Sequence, residues 1–316
     1  MTEKNYNLAF VFPGQGSQAL GMLSELAINH AEVETVFTQA SEVIGHDLWQ
    51  IVCQGPEAVL NQTQFTQPAM LSAGVAVWQI WCKQNPVRPA WMAGHSLGEY
   101  TALVCANAIA FKDAIRLVYS RGKLMQEAVP EGTGAMAAIL GLEDHDVVNI
   151  CHETAGDEVV SAVNFNAPGQ VVIAGHRQAV ERAINALKQA GAKKTVMLPV
   201  SVPSHCALMK PAAEKLMVEL ENIQINPPDV ALIHNVDVSS HTAPEVIRNA
   251  LKEQLYNPVR WVDSIKFMHE QGVDCFVECG PGKVLIGLNK RIIKDANHLS
   301  IFDNETLATA QEQFND

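Results

Sequence analysis

No apolar run in this 316-residue chain approaches the roughly 20 residues that a membrane-spanning helix needs. No C-x-x-C pair occurs either. The seven cysteines, at 53, 82, 105, 151, 206, 275 and 279, are scattered and odd in number, which argues against a disulfide framework and against a zinc site. Basic residues are scarce, 22 against 34 acidic, for a net charge of −12. That speaks against non-specific nucleic-acid binding and offers no global attraction to anionic membranes or acidic proteins, so an acidic partner must find a local basic patch. The N-terminal M-T-E-K-N-Y-N is polar and carries an acid, so it does not read as a secretory signal. These absences predict a cytoplasmic protein with no metal site, no nucleic-acid partner, no membrane partner and reduced, mostly buried thiols.

What is present is apolar bulk: 48% hydrophobic against only 18% charged residues, the balance of a well-packed enzyme long enough for one large or two smaller domains. Leu8–Phe12 reads as a buried strand ending at Pro13-Gly14-Gln15-Gly16. A helix is expected from about 66 to 83, with Thr66 as cap and Pro68 in its first turn. Ala90–Gly94 is too short for a helix, and helix-like sequence follows it; another helix runs from Asp113 to about Ala128. From about 132 the texture changes to strand, helix, strand, turn, strand, helix, strand, ending near Val200, which is the ferredoxin-like order. Strands then alternate with helices again, ending in strand Asp274–Glu278 and a helix to about Lys294. The expected fold class is therefore α/β: a parallel-sheet domain from 1–131 and 201–316, interrupted by a small ferredoxin-like domain at 132–200. The tail from 295 is weakly patterned and reads as partly disordered.

The chemistry centres on Gly94-His95-Ser96-Leu97-Gly98, a G-x-S-x-G between strand and helix. A serine hydroxyl needs a base and a fixed geometry to act as a nucleophile. A sharp strand-to-helix turn pushes it over the sheet edge, and glycines two before and two after let strand and helix pass closely. The turn also leaves the Leu97 N–H at a helix N-terminus, facing a developing oxyanion. The alternative is a tight turn around a buried serine. Among eleven histidines, His95 adjoins the serine and would point away across the turn. His205, in V-S-V-P-S-H-C-A-L-M, lies where the chain re-enters the main domain, and reads as the base or as an ordinary loop histidine. Arg121, beside Gly122, is either solvated or a two-pronged clamp for a substrate carboxylate. F-P-G-Q-G-S-Q lacks the lysine of a P-loop and the third glycine of a dinucleotide loop; the Gln15 N–H is available there as a second oxyanion donor.

Taken in order, F-P-G-Q-G-S-Q, G-H-S-L-G-E-Y, R-G-K-L-M-Q-E-A-V-P-E-G-T-G-A-M-A-A-I, N-F-N-A-P-G-Q-V-V-I-A-G, V-P-S-H-C-A-L-M, L-Y-N-P-V-R-W and G-P-G-K-V-L span nearly the whole chain. The series resembles the stand-alone malonyl-CoA:acyl carrier protein transacylase family of fatty-acid synthesis. The resemblance implies an α/β-hydrolase-like domain with a ferredoxin-like insertion, Ser96 as nucleophile and His205 as base and acid. It also implies Arg121 as binder of the malonyl carboxylate and the N–H groups of Gln15 and Leu97 as the oxyanion hole. A main-chain carbonyl, falling at Gln254, would orient the histidine in place of an acidic residue. Malonyl-CoA would be a substrate, no cofactor is implied, and acyl carrier protein would be the partner. That partner is expected to be acidic, to dock through Lys188, Lys193 and Lys194 or through Lys283, Lys290, Arg291 and Lys294. Two rivals share parts of this pattern, a polyketide-pathway acyltransferase and a serine esterase or thioesterase. A non-catalytic binding module is the third, and it would not need Ser96 and His205 together.

Overall fold

Short apolar runs in this chain become buried strands because helices cover them. The computed structural model describes residues 7–200 and 202–314; the N-terminal Met1–Tyr6 and Ser201, at the expected domain join, lie outside the described residues. Nine strands form two sheets among the described residues: β1 (Leu8–Phe12), β2 (Trp91–Gly94), β3 (Gly134–Leu140), β4 (Val160–Ala167), β5 (Gln170–His176), β6 (Lys194–Met197), β7 (Ala231–Ile233), β8 (Cys275–Cys279) and β9 (Asn297–Ile301). The first sheet is parallel throughout, in the order β7-β2-β1-β8-β9. Alternate residues of β1 enter two cores. Leu8, Phe10 and Phe12 pack with the helix Thr63–Gln84, while Ala9 and Val11 pack with Trp261, Ile265 and Leu285. Two-sided burial is why these strands read as continuous apolar runs. The register sets Phe12 level with Gly94 and Val11 with Glu278. The loops leaving β1, β2 and β8 therefore open at one end of the sheet, where parallel α/β sheets place their ligands.

The second sheet is antiparallel, in the order β4-β5-β3-β6. With the helices Asp144–Ala155 and Arg177–Gln189 it has the expected β-α-β-β-α-β order. Strand alternation divides its faces. Ala135, Ala137, Ile139 and Ile173 pack under the two helices, while Met136 and Val172 turn the other way with Cys206. Two backbone bonds tie β4 to the main body: Phe165 N–H donates to the Val259 carbonyl at 3.0 Å, and Val259 N–H to that of Val163 at 2.8 Å.

Three expectations need correcting. As far as Phe314 the tail is ordered: β9 pairs along β8, and the helix Asn304–Phe314 buries Leu307, Ala310 and Phe314. Its pattern is weak because an edge strand needs apolar residues on one face only, and its order comes from packing. The long helix begins at Thr63 rather than Thr66, and Pro68 lies inside it. The Gln62 carbonyl accepts from both Phe65 and Thr66 N–H, while Thr66 Oγ1 donates to the Leu60 carbonyl at 2.6 Å instead of capping. The last strand of the small sheet stops at Met197, short of Val200 and Pro199. The stretch 24–60, left unassigned in the sequence, holds four helices, the longest Ala31–Ile44 with Val33, Val36, Phe37, Ala40 and Ile44 buried.

Candidate active site

The serine sits where β2 turns into the helix Gly98–Cys105, with a left-handed backbone at φ 52°. The two flanking glycines are sterically required. A Cβ on Gly94 would lie 1.8 Å from the Gly98 carbonyl carbon, and one on Gly98 would lie 2.0 Å from the Phe12 oxygen. The turn is thus wedged against β1 as well as against its own helix.

His205 also has a left-handed backbone, φ 66°, pinned by its N–H donating to the Leu255 carbonyl at 2.9 Å. Its Nε2 lies 2.8 Å from Ser96 Oγ, and its Nδ1 lies 2.7 Å from the Gln254 carbonyl. A carbonyl only accepts, so the ring proton belongs on Nδ1 and the Nε2 lone pair faces the serine hydroxyl. Among the described residues no carboxylate hydrogen-bonds to the ring. Burial, and after it the nearby Arg121 guanidinium, push the imidazole pKa down to about 3. The ring is therefore neutral at neutral pH and free to take a proton.

Arg121 comes from the helix Phe111–Glu127, which Gly122 lets approach closely: a Cβ there would meet Gln64 Cα at 2.7 Å. The side chain is only 1% exposed, which removes the solvated alternative. Its Nη2 donates to Gln254 Oε1 at 3.0 Å and lies 3.4 Å from Ser96 Oγ, and its guanidinium carbon stands 5.3 Å from the Tyr100 ring centre. Nε is buried without a partner. A buried cation held by an amide and a ring is a ready receptor for an anion.

Ser96, His205, Arg121, Gln15 and Leu97 all border one cavity of 310 Å³. The glycine loop leans on the elbow, since a Cβ on Gly14 would lie 2.4 Å from the His95 oxygen. Among the described residues, neither the Gln15 nor the Leu97 N–H donates to a protein acceptor. The pocket's far wall is the inner face of the small sheet, with Met136, Asn164 and Val172. His95 is turned from the serine, its Nε2 2.8 Å from Asn166 Oδ1. Cys206 is buried beside His205 with its thiol pKa pushed up to about 11 by burial, a poor rival nucleophile. Lys188, Lys193 and Lys194 are exposed on the small sheet's side. Lys283, Lys290, Arg291 and Lys294 are exposed around the helix Val284–Ile292, whose Val284, Leu285 and Leu288 border the pocket.

Sequence reasoning assigned no part to the Gln254 side chain, Glu99, His234 or Asn235, all buried behind the serine. Asn235 Oδ1 accepts the Ser96 N–H at 2.8 Å. Two signals were available: a glutamate within the apolar L-G-E-Y-T-A-L-V, and a polar His-Asn pair at the carboxyl end of β7.

A serine, a neutral imidazole, free N–H donors and a buried cation in one pocket suit acyl transfer to or from an anionic acyl group. Known proteins agree. The acyl transferase domain family model matches residues 9–307. The malonyl CoA-acyl carrier protein transacylase of Escherichia coli strain K12 is 57% identical, over 96% of this chain and 98% of its own. The protein of that name from Bacillus subtilis is 42% identical, over 96% of both. A malonyl-transacylase solved with a type II PKS acyl-carrier protein superposes with a TM-score of 0.96, at 56% identity, over 97% of this chain and 99% of that one. The malonyl CoA-acyl carrier protein transacylase of Coxiella burnetii gives 0.97 at 50% identity, over 98% of each. With the family model covering nearly the whole chain and relatives of this identity matching end to end, the chain belongs to the acyl transferase family.

Proposed function

We propose that this acyltransferase moves a malonyl group from malonyl-CoA to the phosphopantetheine thiol of acyl carrier protein, in fatty-acid synthesis. The observation that carries the reading is His205 Nε2 at 2.8 Å from Ser96 Oγ with the Arg121 guanidinium 3.4 Å from the same oxygen. In the first half-reaction Ser96 Oγ attacks the thioester carbon while its proton passes to His205 Nε2. The C–S bond breaks, and coenzyme A leaves as its sulfur takes that proton. In the second, the carrier thiol gives its proton to His205 and attacks the malonyl ester; Ser96 Oγ leaves and recovers the proton. The Gln15 and Leu97 N–H groups hold the oxyanion of both tetrahedral intermediates. Arg121 receives the malonyl carboxylate, and the Gln254 carbonyl keeps the His205 tautomer. The scheme draws on side chains and backbone alone and calls for no cofactor.

The segment 132–200 acts as the small domain walling the pocket, with 1–131 and 201–316 supplying the machinery; the separate antiparallel sheet supports this division. Seven free cysteines fit a reducing, cytoplasmic setting. The relative solved with a type II PKS carrier keeps a polyketide pathway as the second reading. The test is to incubate the protein with malonyl-CoA and map the adduct by mass spectrometry. One malonyl group on Ser96, absent from Ser96→Ala and discharged by carrier protein, is the expected result. An adduct on Cys206, or none, would overturn the scheme.

A further inference from the structure

Ser96 adopts a backbone conformation that L-residues disfavour, and side chains from distant elements hold both of its backbone polar groups. Its N–H donates to Asn235 Oδ1. Its carbonyl accepts from Gln254 Nε2 at 3.0 Å, and from the Glu99 N–H at 3.1 Å. Asn235 Nδ2 donates onward to the Gly94 carbonyl at 2.7 Å, so one amide brackets the turn from both sides. Both residues meet at one carboxylate, Gln254 through its side chain and Asn235 through its backbone. Glu99 Oε2 accepts from Gln254 Nε2 at 2.9 Å and from the Asn235 backbone N–H at 3.0 Å, while Oε1 lies 2.8 Å from His234 Nδ1. Glu99, His234 and Asn235 are fully buried, and none of them borders the pocket. Glu99 cannot touch a substrate there. Any effect it has on the reaction passes through other residues.

Gln254 is the junction. Its backbone carbonyl accepts from His205 Nδ1, its Oε1 accepts from Arg121, and its Nε2 spans Ser96 and Glu99. A carbonyl acceptor on one side and a guanidinium donor on the other permit one orientation of that amide, and the carboxylate fixes where it sits. We propose that Glu99 is a positioning residue for acyl transfer, a buried carboxylate that holds Ser96, His205 and Arg121 in mutual register through Asn235 and Gln254. The proposal rests on the reading of Ser96 as the acylated residue.

The test measures single-turnover formation of malonyl-Ser96 in the full chain, with rates taken per folded molecule. Glu99→Ala leaves the Asn235 N–H and one Gln254 N–H without their acceptor. It is expected to slow acylation by roughly 10- to 100-fold, as displacements of about 1 Å at a reacting group do. The loss should appear mainly in kcat, because Glu99 does not itself border the pocket and the groups that bind malonyl-CoA are shifted rather than removed. Glu99→Gln can keep the bonds that reach the serine: its amide oxygen accepts from Gln254 and Asn235, while its NH₂ can donate to His234 Nδ1 only with the imidazole proton on Nε2, which is buried without a partner among the described residues. It is expected to restore the rate to within about threefold of wild type. Asn235→Ala reaches the same turn without disturbing the buried carboxylate, and should repeat the kcat loss if Glu99→Ala folds poorly.

A wild-type rate per folded molecule in Glu99→Ala or Asn235→Ala would overturn the proposal, because the network would then serve folding alone. A change confined to KM would do the same, as would a folded Glu99→Gln no faster than Glu99→Ala. Wild-type protein that is not acylated on Ser96 at all would be a different result: it removes the underlying reading of the site, and the proposal with it.

Discussion

Removing the Arg121 guanidinium separates a carboxylate receptor from a structural arginine. The side chain is 1% exposed, and among the described residues no carboxylate hydrogen-bonds to it; its bonds run to Gln254 Oε1 and Ser96 Oγ. In Arg121→Ala a bound malonyl group would keep its carboxylate in the same pocket, where Arg121 is buried, without a partner. Stranding one member of a buried charge pair costs about 3–5 kcal/mol. At about 1.4 kcal/mol per decade, kcat/KM for malonyl-CoA should fall by roughly 10²- to 4 × 10³-fold. Acetyl-CoA offers no carboxylate, so its transfer should hold or rise, the more so because Arg121 is one of the groups depressing the His205 pKa. Arg121→Lys keeps the charge but not the planar fork, and should fall between. The assay is kcat/KM for both thioesters, with Ser96 acylation followed directly. Equal losses for the two substrates would refute the reasoning, and Arg121 would then be a packing element.

Two further outcomes follow from the geometry. His205 has a folded pKa of about 3, below the roughly 6.5 of an unfolded histidine, so on acidification the unfolded chain takes the proton first. The stability this group contributes is therefore present above about pH 6.5 and lost as pH falls toward 3. Between pH 7 and 5 the wild type should lose more melting temperature than His205→Gln, and identical slopes would contradict the assignment. Gly98→Ala would set a Cβ 2.0 Å from the Phe12 oxygen, a backbone atom that cannot swing aside. It should cost at least roughly 1–3 kcal/mol of stability together with Ser96 acylation; normal melting with normal acylation would mean the elbow has slack that the contact distances deny.

The sheet and the elbow were legible because their causes are local. Apolar runs ended by glycine mark buried parallel strands, and G-x-S-x-G describes a turn whose steric demand falls within five residues. His205 and Arg121 needed the whole-chain resemblance, since neither contact leaves a local trace: 109 residues separate the histidine from the serine, and 25 separate the arginine from it. Arg121 was ambiguous because a helix surface can send an arginine to solvent or inward, and only the close approach at Gly122 decides which. Glu99 stood in plain view inside the motif. Its meaning lies in partners 135 or more residues away, which periodicity cannot reveal. The tail misread as partly disordered shows the converse. β9 is an edge strand whose order is supplied by β8 and by the packing of Leu307 and Phe314, not by its own pattern.

The carbonyl that steadies His205 has a consequence for the choice of leaving group. A carboxylate in that place would stabilise the imidazolium formed during reaction; the Gln254 oxygen is neutral, and burial and Arg121 oppose the charged ring. Such a ring is a weaker base than a carboxylate-backed histidine and, once protonated, a stronger acid. A thiol, ionising near pH 8.5, asks far less of such a base than water does, with a pKa of about 15.7. Thiolates also depart with little help, whereas amines and alkoxides need firm protonation. On the proposed reading, discharge of the acyl-serine by a carrier thiol therefore asks less of this base than discharge by water, while attack by Ser96 relies on its direct 2.8 Å contact with Nε2.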